Sequence, residues 1–140
     1  MLGVDFGRRR VGLAISDPSG TLARPLETIA VSGTADAVDR VARRIVAIAA
    51  EEDGLATIVV GRPAHLDGTP SDATGDVIAF IVALRRRIGV PIVTEDERLS
   101  SREAEGRLAE NERDWRRRKT KLDAAAAAVF LQDYLDRTTP

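Results

Sequence analysis

With 140 residues, 44% of them apolar and 31% charged, the chain has the composition of one folded globular domain around a single core. Its 21 basic and 22 acidic residues leave a formal net charge of -1, which excludes a molecule-wide pull toward nucleic acid and leaves any such binding to local patches. The absence of cysteine excludes a disulfide framework, and no apolar run approaches the roughly 18 residues of a membrane span. Because the N-terminal segment also lacks the basic stretch and apolar core of a signal peptide, a cytoplasmic protein with no membrane segment is expected.

The sequence opens with two predicted strands, residues 2–6 and 10–16, joined by a tight Gly7 to Arg9 connection, with Val11, Leu13 and Ile15 alternating in the second. Asp17-Pro18-Ser19-Gly20 is a turn by composition. Thr21 to Val31 reads as a third strand, which Pro25 assigns to a sheet edge. Thr34 is placed to cap a helix running to about Glu52, since Val38, Val41, Ala42, Ile45 and Ala49 recur at helical spacing.

LATIVVG, residues 55–61, is a short continuous apolar run of the kind covered on both faces of a sheet. A second helix over 71–88 brings Val77, Ile81, Leu84 and Ile88 to one side, and Val90 to Glu95 forms another central strand. Ser100 and Glu103 make a capping box at the head of a short helix interrupted by Gly106. Arg113 to Lys121, RDWRRRKTK, has six basic residues against one acid and no apolar periodicity, so it is expected to be a mobile loop. A last helix follows from about Lys121 to Asp136. Three sequential strands followed by alternating helix and strand predict an α/β domain with a mixed sheet flanked by helices.

The single histidine, His65, rules out a multi-histidine metal site in one chain, and cysteine-based zinc sites and thiol nucleophiles cannot exist. A Ser-His-Asp triad would have to use His65, in a polar Gly-Pro-Asp stretch without supporting features. Carboxylate chemistry remains. Acids stand where elements end: Asp5 after the first strand, Glu95-Asp96-Glu97 after the last, and Asp123 in the predicted first turn of the final helix. Adjacent parallel strands collect their carboxyl ends on one edge, where ligands of open sheets bind. Clustered carboxylates repel unless a cation neutralises them, and all-oxygen ligands select Mg²⁺ or Mn²⁺. Each acid also has an ordinary reading. Asp5 is suited to binding the amides of the Gly7 turn, Asp123 to starting a helix after Thr120, and one or two of the 95–97 acids to solvent or to Arg98.

GVDFGRRRVGLAISD, TLARPLETI, IVVGRPAHLDG, DERLSS followed by Glu103-Ala104, and KTKLDAAAAAVFLQDYL occur in an order that resembles the YqgF/RuvX family, over nearly the whole chain. That family is associated with maturation of pre-16S ribosomal RNA and with Holliday junction resolution. The resemblance implies a ribonuclease-H-like fold in one domain over 1–140, with a five-stranded mixed sheet and the first strand central. It implies a hydrolase, a metal-dependent nuclease with Asp5, Glu97 and Asp123 as catalytic metal ligands for two Mg²⁺ or Mn²⁺ ions, Asp5 touching both. The chain departs from the family at Gly61-Arg62-Pro63, where G-L-P is usual, and at Ala64-His65, where leucine and asparagine are usual.

On that reading, Arg9, Arg10 and Arg62 are candidate phosphate contacts, with Arg98 facing either Glu97 or the scissile phosphate. Trp115, Arg116, Arg117, Arg118, Lys119 and Lys121 are a candidate clamp joining a stacking ring to clustered cations. Expected partners are structured RNA, ribosomal particles or branched DNA, with the chain acting as monomer or homodimer. The residues do not choose between RNA and DNA. A non-catalytic RNA-binding factor keeping the same acids is the competing class. A sugar-kinase-like ATPase would need a second lobe and a second glycine-rich phosphate loop, which 140 residues do not supply.

Overall fold

Val11, Leu13 and Ile15 alternate along β2 (Arg10–Ser16), which runs antiparallel to β1 (Leu2–Asp5) with Leu2 opposite Ile15, Val4 opposite Leu13 and Asp5 opposite Gly12. The computed structural model describes residues 1–51, 54–62, 72–96 and 115–138, with side chains for all of these except 72–74, 96 and 115–122. β3 (Ala23–Ala30) pairs antiparallel with β2, and β4 (Ile58–Arg62) and β5 (Ile92–Asp96) add in parallel on the other side of β1. The sheet order β3-β2-β1-β4-β5 makes β1 central and β3 an edge, as the sequence predicts. Pro25 therefore sits where a missing N–H costs the ladder least. The pairing slips between Leu13 and Ala14, opposite Glu27 and Pro25, and so leaves Leu26 as the extra residue of a bulge.

Residue parity sorts the sheet into two faces. Leu2, Val4, Val11, Leu13, Ile15, Ile58, Val60 and Ile92 form one core with α1 (Thr34–Glu51) and α2 (Asp72–Arg85), through Ile45, Ile48, Phe80 and Leu84. Ala14, Val59 and Val93 face the other way, against Ala127, Ala128, Phe130 and Leu131 of α3 (Trp115–Thr138). Gly3 and Gly12 lie on this second face. A Cβ on Gly3 would stand 3.0 Å from the Ala127 carbonyl, and one on Gly12 would stand 2.1 Å from the Asp123 carbonyl, so the helix backbone rests directly on the strands.

Several element ends fall one to three residues inside the expected ones, α2 closing at Arg85 and β4 opening at Ile58, and three further differences have a specific physical cause. α1 is headed by Gly33, whose carbonyl accepts the first helical bond from Ala37 at 2.9 Å, while Asp36 reaches back to the Ser32 N–H; Thr34 is the first helical residue instead of the cap. β5 begins at Ile92 because Pro91 has no N–H, although its carbonyl accepts from Ile58 at 2.9 Å. The largest correction concerns 115–121, expected as a loop and found as the first two turns of α3. Arginine and lysine are good helix formers, no glycine or proline interrupts 115–138, and a helix extended from an anchored segment needs no apolar stripe of its own. The predicted helix after Ser100 lies outside the described residues.

Candidate active site

Asp5 closes the central strand on the edge where parallel β1, β4 and β5 all end, and parity turns it to the α3 face, the same side as Gly3. Its neighbours across the sheet are small. Gly12 stands opposite it on β2, and the register pairing Val4 with Val60 continues to Gly61 on β4, itself paired with Glu95 on β5. Phe6 anchors the end of the strand by stacking on Phe80 of α2, with ring centroids 4.6 Å apart. Gly7 makes the turn possible, since a Cβ there would lie 2.7 Å from the Arg10 carbonyl.

Asp123 arrives from the helix. Its main chain occupies the space that a Gly12 side chain would fill, and Gly12 stands opposite Asp5, so the fold carries Asp123 over the strand pair that Asp5 closes, 118 positions away in the chain. It is the ninth residue of α3, not part of its first turn, and a helix-start role for its carboxylate is thereby excluded. Arg10 lies two residues before Gly12 on β2 and so projects on the same face; its Nε–H donates to Asp123 Oδ2 at 2.8 Å.

The three opening arginines thus have separate surroundings. Arg8 is tied to Asp76 of α2 through Nε at 2.8 Å, Arg10 is tied to Asp123, and Arg9 is exposed in the turn, its carbonyl accepting from Val31 at 2.9 Å. Arg62 ends β4 in an exposed position beside Asp96 in the register. Trp115, Arg116, Arg117, Arg118, Lys119 and Lys121 share the first two turns of α3. Glu97 and Arg98 lie outside the described residues.

Glu95 is only 7% exposed and is gripped by both terminal nitrogens of Arg137, Nη1 donating to Oε1 at 2.7 Å and Nη2 to Oε2. The hydrogen bonds that Arg137 donates to Glu95, reinforced by the carboxylate's charge, raise the Arg137 pKa above its ordinary value. This carboxylate is committed to a fork-like pair at the far end of α3. The sequence places Glu95 among the candidate acids but gives no sign of Arg137 as its partner. Glycines 3 and 12 were likewise unassigned there; a glycine inside an alternating strand is the available signal of close backbone approach.

As candidate ligands, Asp5 and Asp123 each offer hard oxygen donors, the kind that suits Mg²⁺ or Mn²⁺, with no imidazole or thiolate among the described residues. No group of three potential metal ligands occurs among the described residues, Glu97 lying beyond them.

The profile of the family described as "RuvX: Holliday junction resolvase" matches residues 1–137. A Leifsonia xyli subsp. xyli protein named "Putative pre-16S rRNA nuclease" is 42% identical over 135 residues, covering 96% of this chain and 84% of that protein. A protein of the same name from Anaeromyxobacter dehalogenans is 39% identical over 139 residues, covering 99% and 98%. Among solved structures, T. thermophilus RuvC in complex with Holliday junction substrate matches with a TM-score of 0.55 at 18% identity, over 99% of this chain and 97% of that one. Fowlpox virus resolvase in complex with Holliday junction DNA gives 0.53 at 12% identity, over 99% and 98%. These likenesses establish the ribonuclease-H-like fold, with its central first strand and mixed sheet. With the family profile spanning all but the last three residues, and full-length relatives near 40% identity, the chain belongs to the RuvX family.

Proposed function

We propose that the protein is a metal-dependent nuclease that hydrolyses phosphodiester bonds of structured nucleic acid, with the 5′ end of precursor 16S ribosomal RNA as its substrate. The observation that carries this reading is the seating of the Asp123 main chain on Gly12, the residue opposite Asp5 at the carboxyl edge of the central strand. Family membership and the names of the relatives support the nuclease chemistry and the ribosomal substrate.

Asp5, Asp123 and Glu97, two positions after Glu95 in the chain, would hold Mg²⁺ or Mn²⁺. When bound, such ions supply charge stabilisation at phosphorus and an acidified water. The protein's part is to fix the ligands: Asp5 by the paired strands and the Phe6 stack, Asp123 by the close seat of α3 on Gly12. Arg9, Arg62 and Arg98 contact phosphates, and the basic first turns of α3 with Trp115 grip an unpaired segment.

Cleavage of a precursor 16S RNA fragment and of a four-way DNA junction, with Mn²⁺ or Mg²⁺ and then with chelator, tests the proposal. Cation-dependent cutting of the RNA is expected, lost in Asp5→Asn while the circular dichroism and melting curve stay native. Equal cutting by Asp5→Asn would refute the assignment of Asp5. Cutting of the junction alone would replace ribosomal RNA with branched DNA, the second reading that the family description favours.

A further inference from the structure

Asp123 is held by an arginine of the chain itself, and that arrangement bears on how the site fills. The Arg10 side chain is 34% exposed and its bond to Oδ2 uses one of five guanidinium N–H donors, the one on Nε. Arg8, two residues earlier, is held by Asp76 on the opposite side of the turn, outside the candidate ligand set. Arg10, by contrast, pairs directly with a candidate cation ligand, Asp123.

We propose that Arg10 is a positioning residue that occupies Asp123 in the cation-free protein and yields it when a phosphodiester backbone arrives, so that cation and nucleic acid bind cooperatively. This rests on the reading of Asp123 as a cation ligand. A guanidinium and a divalent cation sharing one carboxylate repel each other, so Arg10 weakens cation binding to the free protein. A phosphodiester offers the guanidinium two oxygens in the planar geometry it binds best and draws it off the carboxylate. The cation then meets a ligand without a competitor. By linkage, the cation in turn strengthens nucleic-acid binding by the same factor. Before the cation arrives, the same bond holds the Asp123 carboxylate against β2.

The test is calorimetric titration of Mn²⁺ into wild type, Arg10→Gln and Asp123→Asn, with and without a phosphorothioate-substituted RNA stem-loop that resists cutting. Without RNA, Arg10→Gln should bind Mn²⁺ about fivefold more tightly than wild type, since a competing positive charge has been removed. The gain in Mn²⁺ affinity on adding RNA should be smaller in Arg10→Gln than in wild type. Equal or weaker Mn²⁺ binding by a folded Arg10→Gln protein would overturn the proposal. Indistinguishable Mn²⁺ binding by wild type and Asp123→Asn would instead remove Asp123 from the metal site, and this proposal with it. A wild-type measurement covers the case of a variant that does not fold. The Arg10 Nε–H resonance, observed by NMR in Mg²⁺, should shift when RNA is added, as its acceptor changes from the Asp123 carboxylate to phosphate; a resonance that stays where it was in the ternary complex would overturn the exchange of partners.

Discussion

On one face of the sheet, α1 and α2 set Ile45, Ile48, Phe80 and Leu84 against Leu2, Val4 and Leu13, a layer of large side chains between backbones. On the other, α3 sets Ala124, Ala127 and Ala128 against Gly3, Gly12 and Ala14, and main chain meets main chain. The first face holds the sheet together by apolar area. The second fixes distances, because a helix seated on glycine has little slack, and it is the second that carries Asp123. Apolar burial and the placement of the candidate ligand Asp123 are thus built on opposite faces of the same five strands.

Two substitutions of similar thermodynamic weight separate these roles. Gly12→Ala puts a methyl group 2.1 Å from the Asp123 carbonyl, where backbone must move to admit it. Overpacking of this kind costs about 3 kcal/mol. Because the displaced atom belongs to a candidate cation ligand, Mn²⁺ binding should be lost along with stability. Leu84→Ala removes a fully buried side chain from the thick face, at a cost of about 3 kcal/mol by cavity formation. Its Mn²⁺ affinity and its cleavage rate, both measured well below its melting temperature, should match wild type. Equal loss of Mn²⁺ binding in the two variants would erase the distinction between the faces.

The thick face was the more legible in sequence. Val38, Val41, Ala42 and Ile45 announce α1 by their spacing, β2 falls on residues 10–16 as predicted, and Pro25 marks the edge strand, because each of these signals is local. The thin face depends on contacts between distant segments. The Ala124 to Ala128 run gives half of that packing, and Gly3 and Gly12 give the other half without stating what they admit. The pairs Arg10 with Asp123 and Glu95 with Arg137 span 113 and 42 positions, and periodicity carries no trace of either. The basic start of α3 hides its helix for the opposite reason: its helical propensity is local, but no apolar stripe accompanies it there. Asp5 and Asp123 stand out in sequence as acids at element ends, while the joint role of Asp5, Glu97 and Asp123 as cation ligands rests on the family resemblance.

The Arg137–Glu95 pair sharpens the comparison, since it fastens the far end of α3 to β5 on the thin face. Arg137→Gln leaves Glu95, 7% exposed, as a buried carboxylate without its cation, and the melting temperature should fall. Replacing both, Glu95→Gln with Arg137→Gln, should be milder than Arg137→Gln alone, since the pair is costly chiefly when half of it remains. Thermal melts of the four members of this cycle check the prediction. A double variant as unstable as the sum of the singles would show that the two side chains act independently.

The smallest effect is expected at the end of the sheet away from the site, in the Asp17 turn between β2 and β3. Asp17 Oδ1 accepts from the Thr21 N–H at 2.7 Å and the Leu22 N–H at 2.9 Å, and the Ser19 hydroxyl donates to Oδ2. The Ser19 bond first, then the two backbone bonds, lower its pKa from 3.8 to about 2. A carboxylate with a depressed folded-state pKa adds stability that is complete above the unfolded value and is lost as the proton returns. Melts followed downward in pH should therefore show a loss from this turn between 3.8 and about 2. In Asp17→Asn that part of the acid limb should flatten, while Mn²⁺ binding stays unchanged, because the turn touches neither Gly12 nor α3's seat on it. An acid limb identical in both proteins would mean that the Asp17 bonds add nothing to folding, and that this end of the sheet owes its order to strand pairing and to Gln132 of α3, which bonds the Thr21 carbonyl and the Ala23 N–H.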